Sequence, residues 1–253
     1  MTANSLTVLS LRDRPDLLSQ HMSVGAYGWP KFLAHDPIAI ATRRKHLRYF
    51  AQDQLSLLNG NAVAAVANSL PVRVNADLSL LSDRGLNWGL QASITDHENG
   101  VAPNALMGVQ IVVAAAFQGQ QMGVAAARAL VDHAQATGLD YVVLPLRPSD
   151  KKDYPLIPLL EYITWENEKG LPFDRWLRIH HVLGGTMIKV CQQSMTISGT
   201  LEDWQSWTGQ VFPGSGDYIV PGALNPVCVD HGAGLATYVE PNIWVVHRVP
   251  AAV

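Results

Sequence analysis

The chain has little cysteine, no long apolar run and no strong charge of either sign, and each shortage removes a class of protein. Its two cysteines, Cys191 and Cys228, are distant and lack metal-type spacing, so neither a disulfide scaffold nor a metal site is expected. No stretch reaches the ~18 apolar residues that read as a membrane-spanning helix. The opening MTANSLTVLSLRDRPD has no basic region followed by a long apolar core, and the expectation is a cytoplasmic protein without a membrane partner. A formal net charge of −3 gives no footprint for nucleic acid. Arg43, Arg44, Lys45 and Arg48 do cluster, but on a predicted helix, where such a run reads as a solvated face. What the chain has is apolar content: 48% of 253 residues are hydrophobic against 15% charged, enough for one large core or two half-domains.

Local signals place the elements. Leu6 to Leu11 reads as a strand, and a helix is predicted to start near Asp16. Pro37, suited to a first helical turn, opens a helix running to Phe50. Leu55–Leu58 and Ala62–Ala67 flank Asn59-Gly60-Asn61, a hairpin signal because such turns need positive φ. Ser82 to Gly100 predicts a helix covering one face. From Ile188 onward the texture changes to short apolar runs divided by Gly, Pro and Asp. Met195–Ile197, Tyr218–Val220, Val227–Val229 and Ile243–Val245 are predicted strands, with a capped helix from Leu201 to Trp207 after Thr200.

The most informative stretch runs from Val112 to Ser149. Gln110 to Ala116 predicts a strand and is followed by a loop carrying Gly119 and Gly123. Val124, Ala127, Leu130, Val131 and Ala134 then recur at helical spacing until Gly138 closes the helix. A second apolar run follows. A loop that runs straight into a helix aims free backbone N–H groups at an anion.

These residues resemble the GCN5-related N-acetyltransferases, whose signature is Arg or Gln, two residues, Gly, one residue, then Gly or Ala. Gln118, Gln121 and Gly123 occupy the three positions, with Gln121 in place of the middle glycine; a side chain there is expected to crowd the phosphates or demand a strained dihedral. A second segment, Phe173 to Gly185, resembles the family's Tyr-x-x-Leu-Gly-Phe pattern, with His180 at the tyrosine position and Leu183 and Gly184 matching the residues after it. Arg178, His180, Gly184 and Gly185 are also similar to the GNAT-like decarboxylase and acyltransferase domains of polyketide loading modules. The resemblance implies an α/β, GNAT-like fold: a mixed, mostly antiparallel central sheet with helices on both faces, here with a β-rich C-terminal extension. One domain is expected over 1–253, with acceptor-side helices in 1–103, an acyl-CoA core in 104–190 and the extension in 191–253.

It also implies acetyl-CoA or another acyl-CoA as co-substrate, held by Val112, Val113, Gln118, Gly119, Gln120, Gln121, Met122 and Gly123, with no metal. Arg147 and Lys151 follow the second cofactor strand, where open α/β sheets place ligands, and are candidates for coenzyme A phosphates or an acidic acceptor; a solvated loop is the competing account. His180 is the candidate proton carrier. Ser149 is a candidate donor to the thioester carbonyl. Glu240 is a candidate base acting through water, against the alternative of a turn fixed by Pro241. The implied function is direct acyl transfer, with N-acetylation foremost, to a small-molecule amine or thiol. Two alternatives stand beside it: malonyl-thioester decarboxylation with S-acyl transfer, and a degenerate, non-catalytic binding module. The surplus C-terminal strands offer a cover over the acceptor side or an edge for a homodimer.

Overall fold

Alternation along the middle strands sets the architecture of the computed structural model, which describes residues 6–250. In β3 (Ala62–Val72), Ala65 and Ala67 enter one apolar layer and Val66 another. In β4 (Ala105–Val113), Leu106 faces the first layer, while Ala105 and Met107 face an opposite one. Strands buried on both faces call for helices on both sides.

With β1 (Leu6–Ser10), β2 (Gln54–Asn59) and β5 (Tyr141–Leu146), these strands form one half of a nine-stranded sheet. The other half is β6 (Thr186–Thr200), β7 (Gly216–Tyr218), β8 (Val227–Asp230) and β9 (Leu235–Arg248). The order is β1-β2-β3-β4-β5-β9-β8-β7, with β6 paired to β9. All pairs are antiparallel except β4 with β5.

On one face, α4 (Met122–Ala136) lays Ala126, Ala129, Leu130 and Ala134 on the sheet, joined by Leu159 and Tyr162 of α5 (Leu159–Tyr162) and Leu177 of α6 (Arg175–Val182). The other face carries α1 (Leu18–Gly25), α2 (Pro37–Tyr49) and α3 (Gly85–Glu98). Asp36 caps α2 by accepting the Ala39 N–H at 2.7 Å, with Pro37 next to it. Helix α7 (Leu201–Thr208), opened by a Thr200–Asp203 capping box, buries Trp204 against Phe32, Ile197 and Tyr238 in a separate C-terminal core.

Three expectations change. The cofactor strand lies earlier than Gln110–Ala116, at Ala105–Val113, and Ala115–Phe117 forms a 3-10 turn. In the hairpin, Gly60 alone takes positive φ (61°), since Asn59 still pairs with Ala62. Pro241 does not end a turn: it lies inside β9, and β6 bulges opposite it between Cys191 and Met195, where proline offers no N–H to pair. The C-terminal strands thus belong to the same sheet, and β9 sits beside β5.

Candidate active site

A cleft opens where β4 and β5 part. They pair only from Ala105–Met107 to Tyr141–Val143, after which β4 has no strand partner on that side. A bulge at Val109, between the Ser69–Gly108 and Asn68–Gln110 pairs, bends β4 further away. Gly108 sits at the fork, and a Cβ there would displace the end of the Leu144 side chain. The cleft encloses about 590 Å³ including its open mouth, walled by Gly108–Ile111 of β4, Leu144–Arg147 at the end of β5, and Trp29, Trp176 and His180.

Next to Trp176 of the cleft wall is Gly123, at the start of α4. The N–H of Ala125 makes the first helical bond, to the Gln121 carbonyl, so the amides of Met122, Gly123 and Val124 lack intrahelical acceptors, and no side chain caps them. Gln121 is the sole described non-glycine residue at positive φ (60°, ψ 13°), and its side chain is exposed. The three free amides form a cradle, the donor set that suits an anion. Gly119 (φ 78°) completes the turn, and Gln118 and Gln120 are exposed. Trp176 links cradle and cleft: it lines the cleft, and a Cβ on Gly123 would approach its ring to 3.2 Å. Val112 and Val113 do not line the cleft; the β4 residues that do are Gly108–Ile111.

His180 reaches the cleft from α6, and its neighbour His181 is exposed. Asp174 starts this helix by accepting from Trp176 N (2.8 Å) and Leu177 N (3.2 Å); the same carboxylate accepts from Tyr162 Oη and Asp150 N. The Gly185 N–H closes the helix on the His180 carbonyl at 2.7 Å, and Gly184 takes φ 85°. His180 Nδ1 lies 2.9 Å from Nε2 of His247 on β9. Burial, then the neighbouring His247, pushes His180 down to about 3, so it is neutral at pH 7.

Glu240 forms part of the wall but is fully committed. Both of its oxygens accept the Arg147 Nε–H (3.0 and 2.9 Å), Tyr238 Oη donates at 2.9 Å and Asn242 Nδ2 at 3.2 Å. It lies in a gap along β9, between Thr237, the last partner of β8, and Ile243, the first partner of β5. Arg147 is accordingly turned to Glu240 and to the Gly222 carbonyl (2.6 Å) rather than to the α4 cradle. Lys151 is buried, its ammonium donating to the carbonyls of Tyr154 (2.8 Å) and Leu224 (2.6 Å); burial lowers it to about 8. Ser149 does not line the cleft.

Sequence reasoning missed Trp29, Asp174, His247 and a buried polar string behind β4. In that string Gln110 Nε2 donates to Asn68 Oδ1 (2.8 Å), and Asn68 Nδ2 donates to His21 Nε2 (2.7 Å) and Gln54 Oε1 (2.6 Å). Asp174 carried a detectable signal, an acid directly before an amphipathic run. The others become neighbours only through tertiary folding.

No family model matches the chain. The arginine N-acetyltransferase avaD of Aspergillus versicolor is 32% identical over 249 residues, spanning 87% of this chain and 85% of that one. The loading GNATL domain of CurA from Lyngbya majuscula matches with a TM-score of 0.61 at 17% identity, over 97% of this chain and 98% of its own. The GphF GNAT-like decarboxylase in complex with isobutyryl-CoA gives 0.54 at 14% identity, over 97% and 100%. These two structures share the fold.

Proposed function

Since the chain belongs to the GCN5-related N-acetyltransferase superfamily and is an acyl-CoA-dependent acyltransferase, we propose that it moves an acetyl group directly from coenzyme A to a small-molecule amine in the β4–β5 cleft. The observation that carries this reading is the continuity of three parts: uncapped amides at the start of α4, an unpaired β4 edge, and His180 in the cleft wall.

The amides of Met122, Gly123 and Val124 and the Gly119 turn hold the pyrophosphate. The unpaired β4 edge between Gly108 and Ile111 lies along the acyl arm, and its backbone N–H groups polarise the thioester carbonyl as charge develops on the oxygen. The amine nitrogen attacks the carbonyl carbon, the C–S bond breaks, and the proton lost by nitrogen ends on the thiolate. His180 enters neutral and, with Nδ1 engaged by His247, takes that proton on Nε2 and returns it to the thiolate sulfur, passing briefly through the imidazolium. Positioning and the polarised carbonyl supply most of the acceleration, with no covalent enzyme intermediate. Glu240, with its acceptor positions filled, takes no part in proton transfer.

The test pairs binding with turnover. At ~100 times its dissociation constant, acetyl-CoA adds about 2.7 kcal/mol to native stability, which raises the melting midpoint by several degrees. Thiol release that depends on an added amine then establishes transfer. Arginine, the substrate named for the Aspergillus relative, is the first amine to try. Absence of a melting shift with acetyl-CoA defeats the cradle assignment, and carbon dioxide release from malonyl-CoA without amine-dependent turnover replaces N-acetylation with decarboxylation.

A further inference from the structure

Among the described residues, Arg147 is the only cationic side chain in the cleft wall, and two of its guanidinium N–H groups are already engaged. Its Nε–H is shared by both Glu240 oxygens, and Nη2 donates to Gly222 O. A guanidinium carries five N–H groups. Among the described residues, none accepts a bond from Nη1, and the Arg147 side chain keeps 14% of its surface open while Glu240 keeps 0%. The Trp29 ring lies 5.9 Å from Cζ and limits sideways movement. Glu240 is in turn saturated by Arg147, Tyr238 and Asn242, so the cleft wall presents no unpaired carboxylate to a cationic group. The charge it has to offer a ligand is the free edge of one oriented guanidinium, the geometry that suits a planar, two-oxygen anion.

We propose that Arg147 is a receptor for a substrate carboxylate, with Glu240 as the positioning residue that aims it. The carboxylate has two chemical sources, the α-carboxylate of an amino-acid acceptor or the free carboxylate of a malonyl-type acyl group. This rests on the acyl-transfer reading above and narrows what the cleft accepts.

The experiment compares each acid with its neutral analogue: arginine against argininamide as acceptor with acetyl-CoA, and malonyl-CoA against acetyl-CoA as donor. In wild type, one arm favours the acid by roughly 10- to 100-fold, the range of a charge-assisted hydrogen bond, with the difference in KM rather than kcat. The arm that shows it names the source. Arg147→Gln alone strands the buried Glu240 carboxylate, so the informative variant is Arg147→Gln with Glu240→Gln, which is expected to remove the preference. Glu240→Gln alone is expected to raise KM for the acid more than for the amide. Equal handling of acid and amide in both arms by wild type, or a preference that survives in the double variant, overturns the proposal. Should neither acceptor be acetylated, the transfer reading falls separately, and equilibrium binding of the same ligand pairs still decides the receptor by the same criteria.

Discussion

His180 is neutral because its surroundings offer no counter-charge: it is 3% exposed, and its nearest polar partner is another histidine. His180→Ala is expected to lower kcat by about 100-fold, a usual share for a proton relay, while acetyl-CoA still raises the melting midpoint; unchanged kcat removes the histidine from the mechanism. Because its own titration lies near 3, the rate should show no break at the usual histidine pKa and should follow deprotonation of the acceptor amine. Gln121 makes a different case. At φ 60° it sits where L side chains are disfavoured, so Gln121→Gly should stabilise the fold by roughly 0.5–1 kcal/mol, the left-handed penalty less the added chain entropy. Coenzyme A affinity should hold or improve, as read by chemical denaturation and titration. The turn was legible in sequence because Gln118, Gln121 and Gly123 are close neighbours. The pairing of Arg147 was not, since Glu240 lies 93 positions away, and local chemistry left phosphate, an acidic acceptor and solvent all open to its guanidinium.

Helix α6 shows how an element carries a site. It has eight residues, too few for stability by propensity alone, and depends on its ends: Asp174 at the start, Gly184 and Gly185 at the close. A Cβ on Gly185 would lie 2.8 Å from the His180 carbonyl and 2.9 Å from the His247 ring, so that glycine is what lets β6 turn back beneath the histidine pair. Asp174→Ala removes the cap and leaves Tyr162 Oη and Asp150 N without an acceptor. A loss of about 2 kcal/mol, at the upper end for a cap, should appear in urea unfolding, and kcat should fall with it; a purely local fraying would spare kcat. Strands were less legible than helices. The expected Met195–Ile197 is the middle of a 15-residue strand and Ile243–Val245 lies inside a 14-residue one, because the bulge opposite Pro241 breaks the apolar alternation that marks strand length.

Across the whole molecule, the single sheet passes through all three sequence segments, and the cleft draws residues from each, from Trp29 to Asn242. The fold was legible through the family resemblance of two short segments, with helix spacing and the hairpin as local support, whereas the acceptor wall exists only once β9 lies beside β5. Several buried histidines also act together. His21, His46, His180 and His247 are 1–8% exposed, and burial lowers each, His21 to about 4 and His180 to about 3. Below the ordinary histidine pKa near 6.5, the unfolded chain takes up protons that the native one refuses, so stability falls as pH falls. Each such group contributes up to about 1.4 kcal/mol per pH unit. The urea midpoint should be distinctly lower at pH 5 than at pH 7.5, and a flat profile would mean that these rings take up protons in the native state.

The place of β9 sets the order in which the protein can be made. Tyr141 pairs with Arg248, and the strand that joins β5 to β6 and β8 begins only at Leu235. While it emerges from the ribosome, a nascent chain shorter than this must keep an apolar β5 with one unsatisfied edge. Contacts over such separations form slowly. The sheet therefore closes only once Leu235–Arg248 has been made, and until then the open edge of β5, rather than the finished fold, is the surface that invites aggregation.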